Sequence, residues 1–343
     1  MAEAPPKGRI ETVRGGIDEE TATRVREFWA AQGALEGAEA DERLAEVLCV
    51  LYDESGEIAG VNSAFQRNVP LIGGRLFWVY RSLVPDEAAA PAMINAAYEA
   101  LGEGFDPHGE GPIGLCVPLA DPDAIRRRPE PIWPDTDLFF AGYAPDSGQL
   151  RVRYFHNAVV GPGLPNSPTL EETQATDYSL KDRYRVEVFD QASSATPDDV
   201  LALWSREGAM PEAEARRRVH EVLNVVIDRD DGLVALSTAY LERSEQLRMD
   251  LWYFRTFVAE AHRHTHVATQ LTFHNRDLLE RRFVSGEDTR AGGIAFALEN
   301  EGMRMYYNLA VWLPADFVYI GDNPRGDHVR VHYFPGAEVP EPG

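Results

Sequence analysis

The chain has 343 residues, 44% hydrophobic and 26% charged, enough for two domains of ordinary size that each bury a core. Its 33 Lys and Arg against 56 Asp and Glu leave a formal charge of −23, a surface that repels phosphate backbones and argues against nucleic acid as the main partner. No run reaches the roughly 18 apolar residues of a membrane-spanning helix, so no membrane role is expected.

The opening MAEAPPKGRIETV lacks the apolar stretch of a secretion signal, and a cytoplasmic location is expected. Residues 28–53, FWAAQGALEGAEADERLAEVLCVLYD, are the first half of an internal repeat, answered by LWSREGAMPEAEARRRVHEVLNVVID at 203–228. Trp29, Gly33, Arg43, Glu46 and Asp53 recur at one offset as Trp204, Gly208, Arg218, Glu221 and Asp228. A second block pairs FWVYRSLV (77–84) with LWYFRTFV (251–258), setting Arg81 against Arg255. A third pairs DLFFAGYAPDSGQLRVRYF (137–155) with DFVYIGDNPRGDHVRVHYF (316–334). Three blocks in the same order mark a duplicated domain, and the repeated Arg81 and Arg255 read as residues of the fold. Cys49 and Cys116, in the strand-like runs EVLCVLY and IGLCVPL, are expected as buried free thiols.

Residues 161–180, rich in Gly, Pro and Ser, read as a linker between a domain over 1–160 and another over 181–343. In the second copy YRVEVF alternates as a strand. TPDDVLALWSREG opens a helix, with Thr196 as N-cap and Pro197 at the first helical position. PEAEARRRVHEVL is a second helix, and NVVIDRDDGLVALSTAYLE is two strands joined by a turn at Asp230, Asp231 and Gly232. RMDLWYFRTFV is a strand leading into a long helix over HRHTHVATQLTFHNRDLLERRF. GGIAFALE is a strand, ENEGMRMYYNLA a helix, and the chain closes with strand, turn and strand. Strand, two helices, three strands, helix, strand, helix and two strands make a mixed α/β domain.

The stretch HRHTH, residues 262–266, poses the chemical question. His262 and His266, four apart, share a helix face as metal ligands would, yet no Cys lies near and a carboxylate partner has to be Glu260 or come from another strand. The alternative is that the backbone at a helix start binds an anion and the histidines rim the pocket. A helix N-terminus presents unpaired N–H donors and partial positive charge, and Arg263 adds a full one. This second reading is preferred, and no metal is expected.

The order of elements resembles that of the GNAT acyltransferase superfamily. Its signature V-x-P-x-x-R-x-x-G-x-G/A falls on Val258, Glu260, Arg263, His266 and Ala268, with Glu260 in place of the proline and His266 in place of the first glycine. A second signature, Asn followed seven residues later by Tyr, falls on Asn300 and Tyr307, with Val311 and Trp312 in the places of a Gly-Phe pair. The resemblance implies duplicated GNAT-like mixed-sheet domains with flanking helices. It further implies that Phe257 and Val258 pair through their backbone with a pantetheine arm, and that Arg263, His264, Thr265, His266, Val267 and Ala268 receive the pyrophosphate. Acetyl-CoA or another acyl-CoA would be the co-substrate, and a small-molecule or N-terminal amine the acceptor. Tyr307 would protonate the leaving thiolate, Asn300 would contact the cofactor arm or the reacting centre, and Glu260 would serve as base, with Asp250 and Glu242 as further candidates. The second copy has no Cys to carry an acyl group, so direct attack in a ternary complex is expected. In the first copy Ala89, Asp121 and Arg128 stand where Arg263, Asn300 and Tyr307 stand in the second, and Pro91 interrupts the turn. That copy is expected to be inactive. A monomer or homodimer is compatible with the duplication, and a non-catalytic binding or regulatory protein of the same fold is the alternative.

Overall fold

The structure, a computed structural model, describes residues 8–145, 148–263 and 265–341. The chain divides into two compact units, one ending at Val160 and the other running Gly161–Pro340.

The first unit contains β1 (Arg9–Thr12), α1 (Glu19–Ala31), α2 (Gly37–Leu44), β2 (Val47–Tyr52), β3 (Ile58–Val69), β4 (Arg75–Leu83), α3 (Ala90–Gly102), β5 (Gly114–Leu119), α4 (Pro122–Arg127), β6 (Ile132–Trp133), β7 (Leu138–Ala144) and β8 (Gly148–Tyr154). The second contains α5 (Leu170–Ala175), β9 (Tyr184–Val188), α6 (Pro197–Arg206), α7 (Glu212–Arg218), β10 (Val222–Asp228), β11 (Gly232–Ser244), β12 (Met249–Val258), α8 (Val267–Val284), β13 (Gly293–Leu298), α9 (Glu301–Tyr306), β14 (Val311–Trp312), β15 (Phe317–Asp322) and β16 (His328–Tyr333).

Strand order in the first sheet is β1-β2-β3-β4-β5-β8-β7-β6, and in the second, read from β9, it is β9-β10-β11-β12-β13-β16-β15-β14. The two orders are the same list eight strands apart, as a duplication requires. Among the described residues the one parallel pair in each sheet is central: β4 with β5, and β12 with β13. Residues 161–180 group with the second unit and include α5, whose Thr169 and Glu172 close a capping box.

Local chemistry explains the repeated elements. Thr196 and Asp199 bond reciprocally at the start of α6, with Pro197 where an amide needs no partner. α1 uses Asp18 for the same task through the Thr21 amide. Both helices end at a left-handed glycine, Gly33 (φ 64°) and Gly208 (φ 62°), which a side chain would strain.

In the second unit the sheet is buried on both faces. Val225 and Leu236 meet Trp204 of α6, while Val226 and Ala235 meet Val267 and Leu271 of α8. This is why VLNVVI, apart from Asn224, reads as an apolar run instead of an alternating one. Further along α8, Leu278 and Leu279 share a core with Phe254, Ile294, Phe317 and Phe334. One polar cluster interrupts the apolar layer: Asn224 Nδ2 and the Ser237 hydroxyl both donate to Asn275 Oδ1, at 2.7 and 2.6 Å. The first unit ties its helix down at the matching place with Asn62, which accepts from the Cys49 amide and donates to the Met93 carbonyl.

Among the described residues, each sheet also buries one arginine. Arg330 of β16 donates to the carbonyls of Tyr307 (2.9 Å), Leu309 (2.6 Å) and Ala310 (3.4 Å), and Arg151 of β8 donates to those of Arg128, Glu130 and Pro131. These fully buried guanidiniums hold the irregular loop after α9 or α4. Arg81 and Arg255 are likewise equivalent, pairing with Glu46 and Glu221 respectively. Their guanidiniums lie over the rings of Phe65 and Tyr240. Cys49 and Cys116 are free and buried.

Candidate functional site

β12 and β13 pair at only two positions, Trp252 with Ile294 and Tyr253 with Ala295. Beyond them β12 continues along β11 while β13 continues along β16, so a gap opens between the two strands. The Ala259 amide donates to Val234 O on β11. Because alternate residues of a strand point their amides to opposite sides, the backbone of Val258 faces the gap. Its carbonyl accepts from Arg263 Nε at 3.3 Å, so the chain's own arginine covers that acceptor.

The helix expected from His262 onward begins five residues later. Glu260–His262 form a turn of 3₁₀ helix, Arg263 is extended (φ −67°, ψ 163°), and α8 starts at Val267. The His262 amide is used by Ala259 O and the Arg263 amide by Glu260 O, which breaks the α-helical ladder there. The first-turn amides of α8 are therefore those of Val267, Ala268 and Thr269, not those of Arg263 onward. His266 is the N-cap, yet its side chain makes no capping bond. The Thr265 hydroxyl donates to the His262 carbonyl at 2.7 Å and accepts from the Val267 amide at 3.4 Å. His264 lies outside the described residues.

The histidines do not converge. His262 is buried, with Nδ1 3.0 Å from the Tyr184 hydroxyl and Nε2 3.3 Å from Asp231 Oδ2. His266 is exposed and packs edge-on against Tyr178, ring centroids 5.3 Å apart. Asp228, Asp231 and His262 bring ligand atoms within 4.8 Å of one another. The Arg183 guanidinium already pairs with both carboxylates, so that cluster carries its own cation. Arg183 also holds the Asp228 carboxyl well below its ordinary value.

Asn300 is the N-cap of α9, its side chain accepting from the Met303 amide at 3.0 Å. Its counterpart Asp121 caps α4 in the same way through the Asp123 amide. Tyr307 sits at the C-cap of α9, one residue past the helix, with φ −99° and ψ 54°. Its ring lies against Tyr306 and Trp312. Burial, and then the neighbouring phenols of Tyr306 and Tyr178, push the Tyr307 phenol above its ordinary value, while the Thr269 hydroxyl pulls the other way. Tyr307 therefore keeps its proton at neutral pH and faces the first turn of α8.

Glu260 is exposed, and its backbone amide donates to Glu207 Oε2 at 3.1 Å. That bond, chiefly, lowers the Glu207 carboxyl below its ordinary value. Asp250 lies eight residues from Val258 along β12, about 26 Å away, and is paired with Arg243 at 3.7 Å. Glu242, opposite Leu251 on β11, is at that same remote end.

Three residues of this neighbourhood escaped the sequence reading: Glu207, Thr269 and Tyr178. Only Glu207 left a signal, as an acid in the repeated block where the first copy has Gln32. In the first copy the corresponding segment differs in each part. Ala89 ends a 3₁₀ turn, Pro91 stands in the first turn of α3, and Arg128 pairs with Asp135.

No protein-family model matches the sequence, and no curated protein is significantly similar to it. Among solved structures, the chain is similar to an acetyltransferase of the GNAT family from Streptococcus pneumoniae, at 8% identity over 44% of this chain and 99% of that one (TM-score 0.33). It is similar to a ribosomal-protein-S5-alanine acetyltransferase from Vibrio fischeri at 10% identity over 47% and 98% (TM-score 0.32). A GCN5-related N-acetyltransferase from Kribbella flavida shows 16% identity over 45% and 99% (TM-score 0.31). By the order and direction of its own strands, each unit of this chain is a mixed sheet whose parallel pair lies at the centre.

Proposed function

We propose that the second unit is an N-acyltransferase that moves an acetyl group from acetyl-CoA to an amine. The observation that carries this reading is the gap between β12 and β13, with the Val258 backbone turned into it and the protonated Tyr307 facing the head of α8 beside it. A pantetheine arm needs backbone donors and acceptors that no strand has taken, and the diverging edge of β12 offers them at Val258, whereas the backbone of Phe257 faces Leu236 of β11. The pyrophosphate needs a helix start with amides to offer, and the His266 side chain at the N-cap of α8 makes no capping bond, the long contact of the Val267 amide to the Thr265 hydroxyl being the one to displace. Arg263, released from Val258, adds positive charge there.

In the reaction the neutral amine attacks the thioester carbonyl, its proton passes to a base, and the Tyr307 hydroxyl protonates the departing thiolate. Glu260 is the base we assign, with Glu207 holding its turn in place. Asn300 fixes the start of α9 and so the approach of Tyr307. The acceptor is a small-molecule or N-terminal amine, and the protein works as a monomer or homodimer. The first unit serves as an inactive scaffold, since Arg128 and Ala89 supply neither the phenol nor the charge.

A specific feature favours the second reading, a non-catalytic binding or regulatory protein: His266 adds a Cβ and a ring at the helix head, where Tyr178 packs upon it. Calorimetric titration with acetyl-CoA, on the wild type and on Arg263→Ala, followed by a thiol-release assay with a panel of amines, separates the two. One site per chain, weakened in the variant, with amine-dependent thiol release supports transfer. Binding without release leaves the regulatory reading, and no binding overturns transfer and leaves a non-catalytic protein of this fold with a different ligand.

A further inference from the structure

The segment before β9 does not hang free between the two sheets. Its first part is fixed to the end of α9: the Ser167 hydroxyl donates to the Met305 carbonyl at 2.7 Å and accepts from the Leu164 amide, while Asn308 Nδ2 donates to the Gly161 carbonyl at 3.2 Å. The approach is close enough that a Cβ at Gly163 would lie 2.8 Å from Asn308 Nδ2. Leu170 and Thr173 of α5 are buried. Its last part is fixed to α8, where Gln270 Nε2 donates to the Tyr178 carbonyl at 2.7 Å and the Tyr178 ring meets His266 and Phe273 edge-on. Leu180 then joins the apolar cluster of Val267 and Leu271. One continuous stretch thus bridges the two helices that flank the gap, and it touches both beside the candidate residues His266 and Tyr307.

Its chemistry at that point is that of a ligand. Asp177 precedes Tyr178 directly, and its carboxyl accepts from the Ser179 amide at 2.9 Å, which with the Ser179 hydroxyl holds it below the ordinary value. The aromatic ring that follows this carboxylate is set against His266, the N-cap of α8, whose side chain makes no capping bond.

We propose that residues 161–180 form an inhibitory strap, in which Asp177 and Tyr178 compete with the anionic part of an acyl-CoA for the head of α8. This rests on the acyl-CoA reading above. The strap-closed form does not bind, so the measured affinity is the intrinsic one reduced by the fraction of molecules with the strap open. The bonds to Gln270, Met305 and Asn308 set that fraction.

The test compares the wild type with an Asp177→Asn, Tyr178→Ala double variant by acetyl-CoA calorimetry, with hydrogen exchange followed on the same samples. Both positions lie outside the buried core, and exchange in the strands of the second unit reports that the variant is folded. The dissociation constant is expected to fall about fivefold or more in the variant, because more molecules start open. Acetyl-CoA is expected to speed exchange in residues 170–180 of the wild type, as the strap lifts. Equal or weaker binding by a folded variant overturns the strap and leaves the acyl-CoA reading standing. Absence of binding by both proteins overturns that reading, and the strap with it.

Discussion

Replacing Arg330 by Met keeps most of the side-chain volume and removes a charged donor from three carbonyls, those of Tyr307, Leu309 and Ala310. Arg330 is 1% exposed, so water cannot take its place without opening the sheet. Each lost bond from a charged donor costs on the order of 1 to 1.5 kcal/mol net, and the three together about 3 to 5 kcal/mol. For a unit of this size each kcal/mol moves the midpoint by roughly 2 to 4 °C, so one calorimetric transition should fall by roughly 6 to 20 °C. Arg151→Met makes the same cut in the first unit, where the acceptors are Arg128, Glu130 and Pro131. If the two units melt in separate transitions, the variants should lower different ones. A loss under about 1 kcal/mol in either variant would refute the reasoning, since it would mean that the loop carbonyls find other donors unaided.

Tyr307→Phe removes only a hydroxyl, and with it the proposed acid. Turnover should drop about 100-fold or more, with acetyl-CoA affinity nearly unchanged; full turnover by a folded variant would take Tyr307 out of the chemistry. Asp228→Asn is expected to lower the melting temperature at neutral pH. The native carboxyl, held by Arg183, titrates below its ordinary value of 3.8, so its contribution is present above that value and fades as pH falls through the native one. The gap between wild type and Asn variant should therefore close in acid, and a gap that widens below about pH 4 would contradict this. Burial pushes the Cys49 thiol up and the Cys116 thiol up to about 12. Native protein near pH 8 should leave an aromatic disulfide reagent unconsumed, whereas denatured protein should consume it at both thiols. Rapid reaction of the native protein would show that the strands carrying them open readily.

The duplication was fully legible in the sequence. Strand and helix periodicity, the Gly33 and Gly208 caps, and the Arg81 and Arg255 pairs all recur at nearly constant spacing, because each answers a local need that both copies share. The same holds for the Thr196 capping box, whose partners lie three residues apart. Where α8 begins was not legible. HRHTHVATQL carries no residue that forbids a helix at Arg263; the turn is set by Glu207, which takes the Glu260 amide across 53 residues of chain. Nor was the course of residues 161–180, whose Gly, Pro and Ser content describes a segment without periodicity but not what it lies upon. Tyr178 meets Gln270 across 92 residues. Hydrophobic period reports which face of an element is buried, and capping chemistry reports where it starts. Neither reports which distant segment covers that start, since a single polar contact between remote residues leaves no repeating mark in either stretch.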